Sequence, residues 1–328
     1  MIDNTPISCK TLGEIFDLDG KLLQEQYIRH LSDFPSWYHI YGLKDYVVFP
    51  ENIGEHLSLD ETSISQGELY TILTNKSGKG KKGTLVAMIK GTKADYVAKI
   101  LKIIPLNKRR KVKEVTSDLA FNMQQIIERC FIKANTVIDR FHVQKLALEA
   151  VQEIRIRHRW ITLEQENNEI ELAKQNHQIY KPEILENGDT NKQLLARSRY
   201  LLFKPQNKWT PKQLQRAELL FNKYPDIKTA YDLSQELKRV YQNSKTKGIA
   251  FTKLAQWYNK VELSGFKSFN TIAQTIKNHY NKILNFFNNR STNASAESFN
   301  AKIKALRNQF RGIKNMNFFI YRLTKIYA

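Results

Sequence analysis

Residues 68–90 decide the fold, and they read Glu-Leu-Tyr-Thr-Ile-Leu-Thr-Asn-Lys-Ser-Gly-Lys-Gly-Lys-Lys-Gly-Thr-Leu-Val-Ala-Met-Ile-Lys. Its two ends are rich in aliphatic and β-branched residues, which predicts two strands, at 68–74 and 84–90. The glycines and lysines of 75–83 predict a solvated hairpin turn between them. A glycine-lysine loop forms a phosphate-binding P-loop only when it opens a helix, and this one joins two strands.

Outward from this hairpin, the pattern predicts an α/β domain that closes near Asp139. The elements around the hairpin strands are a first strand at 56–60, a helix at about 93–104, a fourth strand at 112–118, a helix at about 120–130 and a fifth strand at 136–139. This β-β-β-α-β-α-β order is that of the RNase H-like fold, in which the first and fourth strands lie side by side. The predicted class is therefore α/β, an RNase H-like mixed five-stranded sheet.

The remainder of the chain is predicted to be helical. The pattern is helical from Phe141 to about 287, and a final helix begins near Thr292. The predicted organisation has a large all-helical insertion between the fifth strand and the helix that carries Glu297. The domains are a short lead-in at 1–54, the first part of the core at 55–150, the insertion at 151–288, and C-terminal helices that complete the core at 289–328.

The final helix is predicted to have two distinct faces, because residues three and four apart lie together on a helix. Its apolar face is expected to join the core, and Glu297, Asn300 and Lys304 lie on another face, toward the functional site. The predicted apolar face consists of Phe299, Ile303, Leu306 and Phe310.

The charge balance points to nucleic acid. The 328 residues include 52 Lys and Arg against 32 Asp and Glu, a net charge of +20. Cations bind a phosphate backbone by releasing its counterions, so DNA is the expected partner, with a generic basic protein as the alternative. Cys9 and Cys130 form no Cys-x-x-Cys pattern, so neither a zinc finger nor a disulfide framework is indicated. No membrane-spanning run or signal peptide is evident, which predicts a cytoplasmic, nucleoid-associated protein.

Three carboxylates on separate elements are the candidate catalytic residues. Asp60 and Asp118 end the first and fourth predicted strands, and Glu297 lies in the first turn of the last helix. Clustered carboxylates repel one another unless a cation neutralises them, and a pair of Mg²⁺ ions would do so and support phosphoryl transfer. Mn²⁺ could substitute. Taken singly, each acid could instead form a turn, cap a helix or complement a helix dipole.

Asp139 and His142 form a further polar pair directly after the fifth strand, in Asp-Arg-Phe-His. They are expected to support the metal ligands or contact DNA, and the alternative is a helix cap beside a locally satisfied histidine. Asp139 also competes with Asp118 as the second metal ligand. Asp118 is favoured because the fourth strand is expected to adjoin the first.

A basic and aromatic segment opens the predicted insertion. Arg155, Arg159 and Trp160 are candidates for contact with DNA, since arginine neutralises phosphate and aromatic faces stack on bases. Trp160 and Trp209 are candidates to hold a flipped base. The alternative is that both tryptophans belong to the core of a helical bundle.

These residues resemble the bacterial insertion-sequence transposases of the DDE type, in the ISL-three group. The resemblance implies cutting at transposon ends and joining of 3′ ends to target DNA. It implies that Asp60, Asp118 and Glu297 are the metal-binding triad, and Asp139 and His142 match the group's Asp-x-x-His motif. The matching segments are 57–63, 115–118, 137–146 and 293–304.

The resemblance departs from the full-length pattern at the N-terminus. Longer relatives carry a cysteine-rich finger and a helix-turn-helix, whereas about 50 residues with a single cysteine precede the first predicted strand here. This implies either a truncated copy or a separately encoded N-terminal protein that recognises the element's ends. The family also implies a homo-oligomer. The alternatives to a transposase are another RNase H-like nuclease, such as a resolvase, and a catalytically inactive DNA-binding descendant.

Overall fold

The computed structural model describes residues 1–65, 67–310, 313 and 315–328. The chain forms two compact units. We call residues 1–139 with 289–328 the sheet unit and residues 140–288 the helical unit. The sheet unit is discontinuous in sequence, because the helical unit is inserted into it.

The sheet unit is built on a mixed six-stranded sheet with the order β1-β4-β3-β2-β5-β6. Its strands are β1 (Tyr46–Val48), β2 (His56–Ser65), β3 (Glu68–Asn75), β4 (Leu85–Lys90), β5 (Glu114–Ser117) and β6 (Asn135–Ile138). Its main helices are α1 (Cys9–Phe16), α2 (Gly20–Gln26), α3 (Phe34–Tyr41), α4 (Ala94–Leu101), α5 (Leu106–Arg109) and α6 (Phe121–Cys130), with α15 (Ala294–Gln309) and α16 (Met316–Tyr327) near the C-terminus.

The pairing of the strands confirms the predicted neighbours. β3 and β4 pair antiparallel, as expected for the hairpin, and β2 pairs with β5 in parallel. β6 adds to β5, also in parallel. The prediction of five strands was wrong by one, because Tyr46–Val48 pairs with β4 as an additional edge strand. Three residues between proline-containing segments carry too little periodicity to reveal a strand that depends on its partner for stability.

The prediction that the first strand ends at Asp60 was also wrong. β2 continues to Ser65 and pairs with β3 along its length, with Asp60 opposite Ile72. Fully buried Ile64 provides the apolar anchor for this extension. The parallel pairing with β5 stops at Ser58 and Thr116, so Asp60 lies just beyond the last parallel pair.

Both faces of the sheet are covered, because successive strand residues point to opposite sides. On one face, Leu57 and Leu59 pack with residues of α4 and α6. On the other, Ile64 and Ile72 pack with residues of α15 and α16. The predicted core face of the last helix is confirmed for Phe299, Ile303 and Leu306, which are fully buried, and Phe310 packs at its edge.

The first 41 residues pack against the last helix of the same unit. Tyr27 and Phe34 form an aromatic cluster with Phe318 and Tyr321 of α16. Arg322 is fully buried and donates hydrogen bonds to the backbone carbonyls of Ile2, Thr5 and Ile7. The N-terminal segment is thus fixed to α16 by a buried guanidinium as well as by apolar contacts.

The helical unit begins with a 36-residue helix that starts directly after Asp139. Its helices are α7 (Arg140–Gln175), α8 (Asn191–Arg197), α9 (Pro211–Lys223), α10 (Pro225–Asn243), α11 (Lys247–Ser264), α12 (Lys267–Asn278), α13 (Tyr280–Leu284) and α14 (Phe286–Asn289), the last of which ends in the sheet unit. Trp257 is fully buried here, and its indole N–H donates to the carbonyl of Leu233. In the residues that the structure describes, no helix has the length and apolar character to cross a membrane.

Candidate active site

Three aspartates on neighbouring strands lie where the parallel pairing of those strands ends. Ser58 of β2 lies beside Thr116 of β5, so Asp60 and Asp118 each follow this pair by two residues. Asp139 comes directly after β6, and its backbone N–H donates to the carbonyl of Ser117 at 2.9 Å. The parallel register therefore brings Asp60, Asp118 and Asp139 to the same end of the sheet, where the parallel strands β5 and β6 have their carboxyl ends.

Asp60 is held by the helix that carries Glu297. The amide nitrogen of Asn300 in α15 donates to one carboxylate oxygen of Asp60 at 2.8 Å, and the backbone N–H of Glu61 donates to the other at 2.9 Å. Asn300 is itself buried and lies one helical turn after Glu297. This hydrogen bond fixes the first turns of α15, the helix that carries Glu297, against β2.

Asp139 is the most buried acid of this region. It has 0% exposure, and one of its carboxylate oxygens lies within 4.8 Å of a carboxylate oxygen of Glu297. His142 follows three residues further along, in the first turn of α7. The structure therefore brings Asp139 close to Glu297, and Asp139 is the residue that competed with Asp118 as the predicted second metal ligand.

Asp118 sits in a turn that is tightly held. One of its carboxylate oxygens accepts a hydrogen bond from the backbone N–H of Ala120 at 3.0 Å, just before α6. The side-chain amide of Gln124 donates to the backbone carbonyl of Asp118 and to the hydroxyl of Ser117, both at 3.0 Å. The local role of Asp118 is thus that of a hydrogen-bond acceptor in the turn before α6.

The predicted triad does not form one closed group of ligands. In the described part of the chain, neither Asp60 nor Asp118 belongs to a set of three acidic, histidine or cysteine side chains whose ligand atoms all approach within 4.8 Å. Glu297 is exposed at the start of α15, which leaves its side chain free of packing constraints on one side. Lys304 lies one turn beyond Asn300 and is also exposed.

A buried ion pair that the sequence analysis missed ties the hairpin turn to β5. The ammonium of Lys76 lies 3.3 Å from the carboxylate of Glu114. Burial would raise the pKa of Glu114, but hydrogen bonds led by that from Ser291, and the charge of Lys76, outweigh it and hold this pKa below its usual range. Burial also lowers the pKa of Lys76, and Glu114 and Asp139 only partly offset that effect. The signal in the sequence was Glu114 itself, an acid in a strand whose other residues are apolar or carry hydroxyl groups, because a buried acid of this kind needs a cationic partner.

The predicted DNA-contacting residues of α7 differ in exposure. Arg155 is 4% exposed, and its guanidinium donates to the side chain of Gln152 and to the carbonyl of Leu195. It therefore connects α7 to α8 and does not present its charge to a ligand. Arg159 is exposed and Trp160 is 68% exposed, so the core alternative does not apply to Trp160.

Trp209 lies in the opposite environment. Its indole N–H donates to the carbonyl of Leu201 at 2.8 Å, and its ring packs against those of Phe221 and Tyr231. The alternative of a tryptophan in the bundle core is the better description of Trp209, because both its apolar ring and its polar N–H are already partnered.

Replacing Asn300 with alanine is expected to weaken activation by divalent metal by about 10- to 100-fold, because Asp60 loses the donor that orients it. The measurement is DNA cleavage as a function of Mg²⁺ concentration. Asn308→Ala, at an exposed position of the same helix, is the matched control. If Asn300→Ala shows the wild-type dependence on Mg²⁺, the hydrogen bond has no role in orienting Asp60.

Comparison with known proteins assigns the class. A family model described as a transposase, the ISL3 group of the DDE type, matches residues 57–323. The match covers both the strand-end aspartates and α15, and it spans the helical unit. The chain belongs to this transposase family.

A curated relative gives a more particular likeness. The chain is similar to the transposase for insertion sequence element IS1001 of Bordetella parapertussis, with 22% identity over 273 residues. The aligned region is 82% of this chain and 60% of the relative, so the chain spans about 60% of that protein's length. No solved structure matches the chain significantly.

Proposed function

We propose that this chain is the catalytic part of a DNA transposase that cleaves at transposon ends and joins the freed 3′ ends to target DNA. The observation that carries the proposal is the arrangement at one end of the sheet. Asp60 and Asp118 follow a parallel strand pair, and the helix of Glu297 is hydrogen-bonded to Asp60 through Asn300. Membership of the transposase family supports the same conclusion.

The core is proposed to be RNase H-like. Five of its six strands have the order β4-β3-β2-β5-β6, with an antiparallel meander followed by two parallel strands. This is the arrangement in which carboxylates from the first and fourth strands of such a core lie side by side. β1 would be an addition at the far edge, away from the catalytic strands.

The donor atoms fit magnesium or manganese. Asp60, Asp118 and Glu297 offer only carboxylate oxygens, which are the ligands these hard cations prefer. Two such ions, when bound, neutralise the phosphate that reacts and stabilise both the attacking and the leaving oxygen. His142 offers a nitrogen, which suits these ions less well, so it is not assigned as a ligand. Asp139 is fully buried close to Glu297 and is assigned to position that carboxylate.

The protein's own contribution is to fix these ligands before DNA arrives. Asn300 orients the carboxylate of Asp60, and Gln124 holds the backbone of Asp118. The hydrogen bond from the backbone N–H of Asp139 to the carbonyl of Ser117 keeps the ends of β5 and β6 in register. Because these partners are hydrogen-bonded in the free protein, little reorganisation is needed when the substrate binds.

DNA is the proposed partner of both units. The net charge of +20 supports binding to a polyanion. Exposed Lys304 follows Asn300 on α15 and is placed to neutralise phosphate. On α7, exposed Arg159 and Trp160 are proposed to contact the backbone and stack on a base, respectively. Arg155 is left out of this role because it is buried.

Further copies of the chain are proposed as partners during transposition, since two ends must be processed together. The proposed location is the nucleoid, where the substrate is found.

A cleavage and joining assay tests the function. The purified chain is incubated with Mg²⁺ and labelled duplexes that carry the DNA flanking its gene, with an unlabelled plasmid as the target. Cleavage followed by joining is expected. Cleavage without joining would favour a nuclease or resolvase, and binding without cleavage would favour an inactive descendant.

A further inference from the structure

A cavity of about 430 Å³ lies within the helical unit, between the turn Gln206–Lys208 and one face of α10. Three cations line it, Lys208, Lys238 and Arg239. Among the described residues of its lining, Asp232 is the sole acid. The chemistry of the cavity is therefore that of an anion-binding site.

The α10 side of the cavity is a continuous polar stripe. Tyr231, Gln235, Lys238 and Gln242 are spaced by four, three and four residues, which places them on one face of the helix. The two glutamine amides add hydrogen-bond donors on either side of Lys238. Apart from the Tyr231 ring and the Asp232 carboxylate, this side presents groups that can donate to an oxyanion.

The opposite wall is fixed in place by Tyr231 and its neighbours. The Tyr231 hydroxyl donates to the backbone carbonyl of Lys204 at 2.9 Å. The ring of Trp209 packs on Tyr231 with 5.4 Å between centroids, and its N–H is bonded to Leu201. The turn between residues 204 and 209 is thus held at both ends, so the cavity does not have to form on binding.

The cations of this cavity are not neutralised by the protein. In the part of the chain that the structure describes, no acidic side chain lies within 4.0 Å of the charged groups of Lys208, Lys238 or Arg239. Asp232 is already paired with Lys228, outside the cavity, at 2.6 Å. The positive charge of the cavity is therefore available to a ligand.

The electrostatic environment of Lys238 supports this conclusion. Burial lowers its pKa, and the nearby charges of Lys208 and Arg140 lower it further. Like charges held together in a partly buried place cost free energy, and a bound anion would relieve that cost.

We propose that the cavity formed by Lys208, Lys238, Arg239 and the amides of α10 is a binding site for a phosphate group of the DNA backbone. The proposal rests on the proposed function, because a transposase supplies the polyanionic ligand. The guanidinium and two ammonium groups suit a phosphodiester, and the volume leaves room for an adjoining sugar. A contact to backbone alone carries no sequence information, so the site would position DNA of any sequence.

The test compares DNA binding by the wild-type chain and by the double variant Lys208→Gln/Lys238→Gln. Binding of a short labelled duplex is followed by fluorescence anisotropy in EDTA, so that cleavage has no part in the readout. The double variant is expected to bind about tenfold more weakly at low salt, and the slope of log affinity against log salt is expected to fall by about 1. Lys238→Arg is expected to keep most of the affinity.

Two controls separate a specific site from general charge. Lys212→Gln/Lys267→Gln removes the same charge at exposed positions of the same unit that do not line the cavity. Unfolding temperatures check the fold, and Lys238→Gln is expected not to lower the unfolding temperature, because it removes a partly buried charge beside other cations.

Equal losses in the two double variants, or an unchanged salt slope in the cavity variant, would overturn the proposal. So would saturable binding of inorganic phosphate that is lost in the cavity variant while DNA binding stays at the wild-type level, since the site would then take a small anion. A wild-type chain that binds no DNA at all would instead remove the proposed function itself.

Discussion

Asp60→Asn is expected to lower the rate of magnesium-dependent DNA cleavage by about 1,000-fold or more, because a neutral amide cannot replace an anionic metal ligand that is worth several kcal/mol in the transition state. The fold is expected to survive. The new side chain has the same shape, and its carbonyl oxygen can keep one of the two hydrogen bonds that Asp60 accepts, from Asn300 or from the Glu61 N–H. The measurement is the single-turnover cleavage rate at saturating protein, with DNA affinity measured separately in EDTA.

Asp95→Asn is the control for this variant. Asp95 is an exposed acid of α4 paired with Arg129, so its replacement removes the same charge outside the strand-end site. DNA affinity is expected to stay the same or rise slightly in both variants, since each removes a negative charge that repels phosphate. If Asp60→Asn cleaves within about tenfold of wild type, Asp60 is not a metal ligand and the proposed catalytic site loses its first member.

The second large effect separates Asp118 from Asp139. Asp118→Asn is expected to abolish cleavage to the same extent as Asp60→Asn, because Asp118 is assigned to the metal. Asp139→Asn is expected to reduce cleavage by about 10- to 100-fold, the range for a residue that acts on a ligand through a neighbour. Asp139 is fully buried beside Glu297 and is assigned to position that carboxylate.

A measurement of metal binding distinguishes the two roles. Mg²⁺ stabilises the wild-type fold by mass action if it binds the folded state, so the unfolding temperature is expected to rise with Mg²⁺. That rise is expected to be lost in Asp118→Asn and to persist, at higher Mg²⁺ concentration, in Asp139→Asn. The reverse pattern, with cleavage retained by Asp118→Asn, would make Asp139 the second ligand.

The order of the elements could be predicted from the sequence because each strand has a clear periodicity and a clear end. The neighbour relation of β2 and β5 followed from that order. The length of β2 could not be predicted, because its continuation past Asp60 depends on pairing with β3. The edge strand β1 was not predicted for the same reason, since its three residues form a strand by pairing with β4.

In the candidate site too, features set by neighbouring residues could be predicted, whereas contacts between distant parts of the chain could not. The spacing on α15 could place Asn300 near Glu297, but only the folded chain reveals its bond to Asp60, 240 residues away. Arg155 was expected to contact DNA from its basic and aromatic surroundings. In the structure its guanidinium donates to the carbonyl of Leu195, 40 residues away. The residues around Arg155 in the sequence give no indication of a partner at that separation.

The discontinuous sheet unit has a consequence for biosynthesis. The strands before Asp60 and Asp118 leave the ribosome before the helical unit, but α15 and α16, which pack on the sheet face that contains Ile64 and Ile72, are made after it. Until then, apolar residues such as Ile64, Ile72 and Met88 lack their cover, and Asp60 lacks Asn300. A nascent chain that stops before α15 therefore lacks both Glu297 and the hydrogen bond from Asn300 to Asp60, so the proposed active site can form only after the helical unit has been translated.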